Sequence, residues 1–269
     1  MEYIQLSIAV TDSVQREILV ALLADLGFDA FEETEDALLA YIPAVGYAEI
    51  DIETVIASFP HTAQSIAQQN WNAKWEESFH PVTVPGFCTV RAAFHNINPD
   101  TPYEIVITPK MSFGTGHHAT TQLMITLMQD IDFNGKTVFD FGTGTGILAI
   151  LAAKLGATSV LAADNDEWSA ENAQENVTQN ATPQVTVVHG SIEQTAGRSY
   201  DILLANINRH ILLQYMHDMH TRLHEGGILL MSGLLTEDFD MVHNAAVNEG
   251  FIFVRREEMN NWIVIQFRK

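Results

Sequence analysis

The segment Thr137–Ile150, TVFDFGTGTGILAI, runs from an apolar strand-like stretch through alternating glycines into an apolar helix-like stretch. Such a strand, turn and helix exposes backbone N–H groups and lets a nucleoside cofactor approach the main chain closely. Gly142, Gly144 and Gly146 form the pattern G-x-G-x-G, which differs from the G-x-G-x-x-G expected for a dinucleotide pyrophosphate. By itself the turn predicts a nucleoside-binding site and does not identify the cofactor.

Two polar residues at the ends of later strand-like runs add to this prediction. Asp164 lies about 20 residues after the turn, where an acid accepts hydrogen bonds from ribose hydroxyls. Asn206 ends the run Ile202–Asn206 and would face the same crevice. Each has a structural alternative, because Asp164 could cap the next helix and Asn206 could serve a turn. Their occurrence at successive strand ends favours the cofactor interpretation.

The elements that must position these residues alternate between strand-like and helix-like runs. This alternation predicts an α/β domain with a mostly parallel sheet and a site at the carboxyl ends of its strands. The last two strands are close enough for a hairpin, so one of them should be antiparallel. The predicted strands are Val138–Phe141, Ser159–Asp164, Val185–His189, Ile202–Asn206, Ile228–Ser232, Phe251–Arg255 and Trp262–Phe267. The predicted helices are Gln122–Met128, Ile147–Leu155, Glu167–Gln179, His210–Leu223 and Glu237–Glu249.

Residues 1–70 predict a separate small domain with the order β-α-β-β-α-β, the ferredoxin-like α+β arrangement. The first helix should run from a cap at Asp12 or Ser13 to Leu26. Its expected apolar face comprises Val14, Ile18, Ala21, Leu22 and Leu26. The other predicted elements are the strands Glu2–Val10, Phe28–Glu33, Ala37–Ile42 and Thr62–Gln69 and a helix Ala48–Phe59.

Residues 71–85 are expected to join this domain to a second one that spans residues 86–269. Trp71, Trp75 and Phe79 recur every four residues and predict a short amphipathic linker helix. The runs Val82–Ala92 and Tyr103–Ile107 should form strands that lead into the second domain.

The charge balance limits the classes of partner. The 269 residues carry 34 acids against 13 bases, a net charge of −21, which disfavours direct nucleic-acid binding. Residues 1–70 contain twelve acids and one base, Arg16, so this part could dock a basic macromolecule, although an acidic solvated surface is the simpler alternative. The single cysteine, Cys88, and the absence of a membrane-length apolar run or a basic leader predict a cytoplasmic protein without a membrane segment.

Four motifs carry a resemblance to known families. DFGTGTGILAI resembles the first motif of class I S-adenosylmethionine-dependent methyltransferases, usually D-x-G-x-G-x-G. The series FGTGHHATT (Phe113–Thr121), that motif, AAD ending at Asp164 and LAN ending at Asn206 resembles the ribosomal protein methyltransferases that modify large-subunit ribosomal protein eleven. The layout of a small front domain, a Trp-rich linker and a Rossmann-like domain with a mostly parallel seven-stranded sheet also resembles that family. The resemblance therefore covers nearly the whole chain.

The resemblance implies S-adenosylmethionine as cofactor and a protein lysine N-methyltransferase activity, with an N-terminal amine as a further acceptor. It implies that Thr121, Gly142, Asp164 and Asn206 contact the cofactor or line its pocket. It also places Asp140 and the Gly144 backbone at the amino acid end of the cofactor and Asp164 at its ribose. The adenine would lie near Ser191. Phe113, in the glycine-containing loop, could supply an apolar wall.

Asn206 is the predicted catalytic residue, because its side-chain carbonyl could orient a neutral amine without adding charge. His117 or His118 could relay a proton, but a role in shaping or capping the loop is the favoured interpretation. No third ligand accompanies this pair at helix spacing, so no metal is predicted. The alternatives are methylation of another protein amine or a small molecule, a nicotinamide-dependent oxidoreductase, and a non-catalytic S-adenosylmethionine-binding module.

Overall fold

The computed structural model describes residues 3–47, 50–66, 79–110 and 112–269. The chain forms two compact units, residues 1–79 and residues 80–269, called here the front unit and the large unit. The predicted linker helix falls mainly outside the described residues, and so do Trp71 and Trp75. Among the described residues, no helix is both long enough and apolar enough to cross a membrane.

The front unit is a four-stranded antiparallel sheet with the strand order β2-β3-β1-β4. This order and the succession of its elements are those of the ferredoxin-like arrangement. The strands are β1 (Tyr3–Ala9), β2 (Ala30–Glu33), β3 (Ala37–Pro43) and β4 (His61–Ile66), and the helical segments are α1 (Ser13–Asp25), α2 (Ala44–Tyr47) and α3 (Glu53–Ile56).

Helix α1 begins as expected and buries a different face from the predicted one. Asp12 is its N-cap, and its carboxylate accepts a hydrogen bond of 2.8 Å from the Gln15 N–H. The predicted face is wrong, because Val14, Ile18 and Leu22 are 62%, 54% and 42% exposed. The helix carries apolar residues on two sides, and Leu19 and Leu23 are the ones that pack into the core.

The predicted helix Ala48–Phe59 is also wrong in extent, since only the turn Glu53–Ile56 is helical within the described part of that range. Five residues of that range are β-branched and lose side-chain freedom in a helix, namely Ile50, Ile52, Thr54, Val55 and Ile56. The Thr54 hydroxyl instead donates to the Asp51 carbonyl at 2.8 Å. The last predicted strand ends at Ile66 in the described residues.

The large unit is built on a seven-stranded sheet with the order β10-β9-β8-β11-β12-β14-β13. Its first five strands in that order pair in parallel and the hairpin strand β14 runs antiparallel, which confirms the predicted mostly parallel sheet. The strands are β8 (Thr137–Phe141), β9 (Ser159–Asp164), β10 (Val185–His189), β11 (Tyr200–Asn206), β12 (Leu223–Leu235), β13 (Ile252–Met259) and β14 (Trp262–Arg268). The helices are α4 (Ala119–Met128), α5 (Ile147–Lys154), α6 (Glu167–Gln179), α7 (Arg209–Gln214), α8 (Met216–Thr221) and α9 (Phe239–Asn248).

A separate three-stranded sheet precedes it, formed by β5 (Val82–Val84), β6 (Cys88–Ala92) and β7 (Tyr103–Ile107). The single strand predicted over Val82–Ala92 is therefore a hairpin. Its turn contains Pro85 and Gly86, a dipeptide that favours a tight turn, and Gly86 has φ +68°. The predicted helix His210–Leu223 is likewise two short helices, and β12 already begins at Leu223.

The central strands place the site residues. Phe139, Leu203 and Leu229 are fully buried on β8, β11 and β12, within one apolar core. Because β8, β9 and β11 run parallel, their carboxyl ends lie at one edge of the sheet, where Asp164 and Asn206 end their strands. The glycine-rich turn follows β8 at the same edge.

Candidate functional site

The glycine-rich turn after β8 has no room for a side chain at Gly142 or Gly144. Gly142 and Gly144 have φ values of +74° and +56°, a region that L-residues with a Cβ rarely adopt. A Cβ at position 142 would lie 2.2 Å from the Ile207 side chain, and one at position 144 would lie 2.3 Å from the Phe113 carbonyl oxygen. The glycines therefore permit the close approach of other chain segments as well as an exposed backbone.

Asp164 holds this turn from the end of the neighbouring strand. One carboxylate oxygen accepts the Gly144 N–H at 2.8 Å, and the other accepts the Asp166 N–H at 3.0 Å. A carboxylate has about four lone-pair sites, so two backbone bonds leave acceptor capacity for the hydroxyls of a ligand. Asp166, and not Asp164, caps helix α6 through the Ser169 N–H. The alternative assignment of Asp164 as a helix cap is therefore wrong.

The loop Phe113–Thr121 is fastened to the same turn. The Thr145 N–H donates to the Phe113 carbonyl at 2.9 Å, and the Thr145 hydroxyl donates to the Gly114 carbonyl at 2.6 Å. The two motifs with the most specific resemblance are thus hydrogen-bonded to each other. A displacement of the loop would therefore also displace the glycine-rich turn.

The paired histidines of this loop have distinct contacts. His118 is the N-cap of α4, and its Nδ1 accepts the Thr120 N–H at 3.3 Å. The same nitrogen lies 2.8 Å from the Thr120 hydroxyl oxygen. The His117 Nε2 lies 2.8 Å from the His80 carbonyl, which can only accept, so this nitrogen donates. These contacts agree with the loop-shaping role.

Three asparagines at four-residue spacing tie α6 to the neighbouring sheet and to the turn. Asn180 exchanges two hydrogen bonds with the Val106 backbone, and Asn172 donates to the Thr108 carbonyl. The Asn176 side chain accepts the Thr108 N–H at 2.8 Å and donates to the Thr145 carbonyl at 2.8 Å. This ladder satisfies the backbone of β7 and steadies the glycine-rich turn.

Asn206 ends β11 with its amide directed into the site. Its Nδ2 lies 3.4 Å from the Thr121 hydroxyl oxygen, a long hydrogen bond from the strand to α4. Its Oδ1 is buried and has no hydrogen-bond partner among the described residues. A buried carbonyl oxygen without a partner costs stability, about 1–3 kcal/mol, so its retention calls for an explanation.

A cavity of about 370 Å³ opens at this edge of the sheet, within the range of small-molecule sites. Five predicted site residues line it, namely Phe113, Gly142, Gly144, Asp164 and Asn206. The other lining residues are His118, Thr120, Ser169, Ile207, Asn208, Gly233 and Trp262.

Three further predicted site residues do not line this cavity. Thr121 is fully buried behind Asn206, and Ser191 precedes the short helix Ile192–Thr195 beyond β10. Asp140 is fully buried beneath the turn, where one oxygen accepts the Thr143 hydroxyl at 2.6 Å. Burial raises the pKa of Asp140 to about 7. The cofactor contacts of these three residues remain predictions.

Trp262 is the main site residue that the sequence did not reveal. Its ring meets His118 edge-on with ring centroids 4.7 Å apart, and His118 in turn lies 5.3 Å from Phe113. The preceding Asn260 and Asn261 have φ values of +51° and +66°, typical of a tight β-hairpin turn. The strand start at Trp262 was predicted and is confirmed, and its place beside the site follows from the pairing of Trp262 with Leu235 on β12.

These features fit S-adenosylmethionine. Gly142 and Gly144 line the cavity without side chains, so a ligand can lie against the backbone there, and Asp164 offers acceptors for ribose hydroxyls. Trp262 and Phe113 supply aromatic surface of the kind that attracts a cation such as a sulfonium. Among the described residues no cluster of three His, Cys, Asp or Glu side chains could hold a metal ion.

The chain is similar to known proteins in family, sequence and structure. The family model described as "Ribosomal protein L11 methyltransferase (PrmA)" matches residues 6–269. A "Ribosomal protein L11 methyltransferase" of Porphyromonas gingivalis is 41% identical over 260 residues, covering 93% of this chain and 90% of that protein. A protein of the same name from Chlorobaculum parvum is 40% identical over 242 residues, covering 84% of this chain and 83% of that protein.

The solved structures give a consistent result. The crystal structure of a "ribosomal protein L11 methylase" from Lactobacillus delbrueckii subsp. bulgaricus superposes with a TM-score of 0.67 at 29% identity, covering 71% of this chain and all of that one. A "putative RNA methyltransferase" from Pyrococcus horikoshii superposes with a TM-score of 0.51 at 21% identity, covering 60% and 90%. The second likeness concerns the fold alone.

Proposed function

This chain belongs to the ribosomal protein L11 methyltransferase family, and from that premise we propose that it methylates amino groups of ribosomal protein L11. The acceptors would be lysine side chains and the N-terminal amine. S-adenosylmethionine is the cofactor of this family and supplies a methyl group already activated on a sulfonium. The protein must therefore bind the cofactor, bring an amine into line and keep that amine uncharged.

The observation that carries the proposal is the unpartnered Asn206 Oδ1 beside the cavity. An amine N–H is a donor that could satisfy this oxygen, and the resulting hydrogen bond would orient the nitrogen lone pair away from Asn206. Because an amide oxygen carries no full charge, it stabilises an ammonium less than a carboxylate would. Asn206 would then orient the amine without holding it in the protonated form.

The proton leaves the amine before attack. A lysine has a pKa of about 10.4 in water, and desolvation lowers the pKa of a buried amine. Nδ1 of His118 already accepts from Thr120, and Nε2 of His117 donates to the His80 carbonyl. We therefore propose that the two histidines shape the loop. The amine then releases its proton to water as it enters the cavity.

An Asn206→Ala variant tests the catalytic assignment, with Asn208→Ala as its matched control. Both residues line the cavity, but Asn208 makes no side-chain capping bond at the start of α7. We expect Asn206→Ala to lower methyl transfer to L11 about 100-fold, the effect of losing about 2.7 kcal/mol of positioning. Calorimetric affinity for S-adenosylmethionine should change only a few-fold, and the control should keep most activity.

Unchanged turnover in Asn206→Ala would remove this residue from the mechanism. Mass spectrometry of L11 after incubation with the unaltered protein and cofactor tests the substrate itself. Methyl groups on lysine or on the N-terminal amine support the proposal, and their positions identify the acceptors. An unmodified L11 together with methylation of a different protein or small molecule would replace the substrate assignment.

We further propose that the front unit docks the substrate, without direct contact between this protein and nucleic acid. Support comes from the twelve acids and one base in residues 1–70, since ribosomal proteins are generally basic. The reaction would then take place in the cytoplasm, where ribosomes assemble. The KM for L11 should rise with ionic strength while cofactor affinity stays constant. A KM that ignores salt would contradict electrostatic docking.

A further inference from the structure

The front sheet has one face packed on its helices and one that is not part of the core. Leu6, Ile8, Leu38 and Ala40 point to the core and are fully buried. Their neighbours along β1 and β3 alternate to the other side, where they are half-buried or exposed. We call this side the open face. It carries Tyr3, Gln5, Ser7, Leu39 and Tyr41 of the inner strands, with Glu32 and Gln64 from the two edge strands.

A row of hydrogen bonds crosses the open face from one edge strand to the other. Gln64 on β4 donates to Gln5 on β1, and Gln5 donates to the Tyr41 hydroxyl on β3 at 3.0 Å. The Tyr41 hydroxyl donates to the Glu32 carboxylate on β2 at 3.0 Å. Since every link donates in the same direction, the row orients the carboxylate at its end.

A second tyrosine on this face repeats the arrangement. The Tyr3 hydroxyl donates to the Asp29 carboxylate at 3.1 Å, and Asp29 is exposed next to the start of β2. Each tyrosine thus presents an amphipathic ring, and its hydroxyl positions the carboxylate of a neighbouring residue. Tyrosine is enriched at binding surfaces because its ring gives a large contact area for little conformational entropy.

Arg16, the one base in residues 1–70, does not offset the negative charge of this face. Arg16 is 9% exposed and donates to the Val10 carbonyl at 2.8 Å and the Glu35 carbonyl at 3.0 Å. Its remaining ion pair is with Glu33, whose side chain belongs to the other face of β2. Within the part of the chain that the structure describes, neither Asp29 nor Glu32 is in an ion pair.

We propose that the open face is the surface of the front unit that binds the basic ribosomal protein substrate. This inference rests on the proposed function and adds the location of the docking surface. Lysine and arginine side chains of the partner would pair with Glu32 and Asp29, while their stems and cationic groups lie against the rings of Tyr3 and Tyr41. The pre-oriented carboxylates reduce the ordering cost of that contact.

The competing surface on the same unit is the exposed stripe Val14, Ile18 and Leu22 on α1. It is apolar and offers no oriented polar group of its own, so charge complementarity with a basic partner favours the open face. The acids Glu17 and Asp25 flank this stripe on the same helix and are exposed. They provide a matched control, because reversing two charges there changes the net charge of the unit equally.

The test compares two double variants of the full chain. The open-face variant carries Asp29→Lys and Glu32→Lys, and the α1 variant carries Glu17→Lys and Asp25→Lys. We expect the open-face variant to raise the KM for L11 at least tenfold, with kcat within about twofold, which corresponds to about 1.4 kcal/mol of lost binding. The α1 variant should change KM less than threefold. Cofactor affinity by calorimetry and melting temperature should match the unaltered protein in both. Equal KM changes, or a larger change in the α1 variant, would overturn the inference.

Photo-cross-linking locates the contact without relying on turnover. Ser7→Cys on the open face and Gln15→Cys on α1 would each be labelled with a benzophenone maleimide. The native Cys88 is buried, and burial raises its pKa to about 12, so it should not react. Cross-linking of L11 to position 7 but not to position 15 supports the open face, and the reverse overturns it.

The same experiment separates this inference from the proposed function. Cross-linking at position 7 without methylation would support the docking surface and contradict only the chemistry. Methylation without cross-linking at position 7 would support the chemistry and overturn the docking surface. Absence of both would overturn the two together.

Discussion

Replacing Gly144 by alanine should do more damage than its backbone conformation alone explains. Alanine in the left-handed region costs about 1–2 kcal/mol. At Gly144 the added Cβ would also lie 2.3 Å from the Phe113 carbonyl oxygen, so the loop must retreat. Retreat breaks the bonds from Thr145 to the Phe113 and Gly114 carbonyls, each contributing about 0.5–1.5 kcal/mol. The additional loss is therefore about 2 kcal/mol.

Gly135→Ala supplies the control, because Gly135 has φ +74° and nothing lies within 4 Å of an added Cβ. Differential scanning calorimetry would follow the transition that S-adenosylmethionine moves to higher temperature, which identifies the large unit. One kcal/mol shifts the melting temperature of a domain of this size by about 2–4 °C. Gly144→Ala should therefore melt about 4–8 °C below Gly135→Ala and bind the cofactor more weakly. Equal melting temperatures with unchanged cofactor affinity would refute the fastening of loop to turn.

Three further predictions concern buried or site-lining groups. Burial raises the pKa of Asp140 to about 7 in the folded chain. Between the lower pKa of the unfolded chain and pH 7 the folded chain therefore binds one more proton than the unfolded chain, so the free energy of unfolding falls as pH rises toward 7. Asp140→Asn should therefore gain melting temperature over the unaltered chain between about pH 5 and about pH 8, and a constant difference would contradict this. Arg16→Met leaves the carbonyl of the buried Val10 without its side-chain donor and should destabilise the front unit by about 1–3 kcal/mol, measured by hydrogen exchange. Trp262→Leu removes the ring contact with His118 and should lower methyl transfer about 3- to 10-fold, with little change in melting temperature.

The parts of the site that follow a repeated local pattern could be predicted from the sequence. The glycine spacing, Asp164 and Asn206 occur at strand ends, and strand ends in a parallel sheet share an edge. The capping of α1 by Asp12 follows equally from a local side-chain preference. In these cases the chemistry of a few neighbouring residues determines the conformation.

Contacts between distant segments could not be predicted in the same way. The prediction of the buried face of α1 was wrong because two apolar stripes fit the helical period. Only tertiary packing determines which stripe is buried. The asparagine ladder of α6 faces β7, about 70 residues earlier in the chain, so its meaning depends on a fold that the spacing does not show. Trp262 reaches the site only because β14 pairs with β12.

The unpartnered side-chain oxygen of Asn206 has a consequence for engineering the thermal stability of this protein. An acceptor buried without a partner lowers the stability of the resting molecule, and an apolar residue at position 206 would remove that burden. Directed evolution that scores only heat resistance would therefore favour the loss of Asn206. Under the role proposed above for Asn206, that loss would also lower turnover, so thermostabilised versions of this enzyme should be selected with activity as a second criterion.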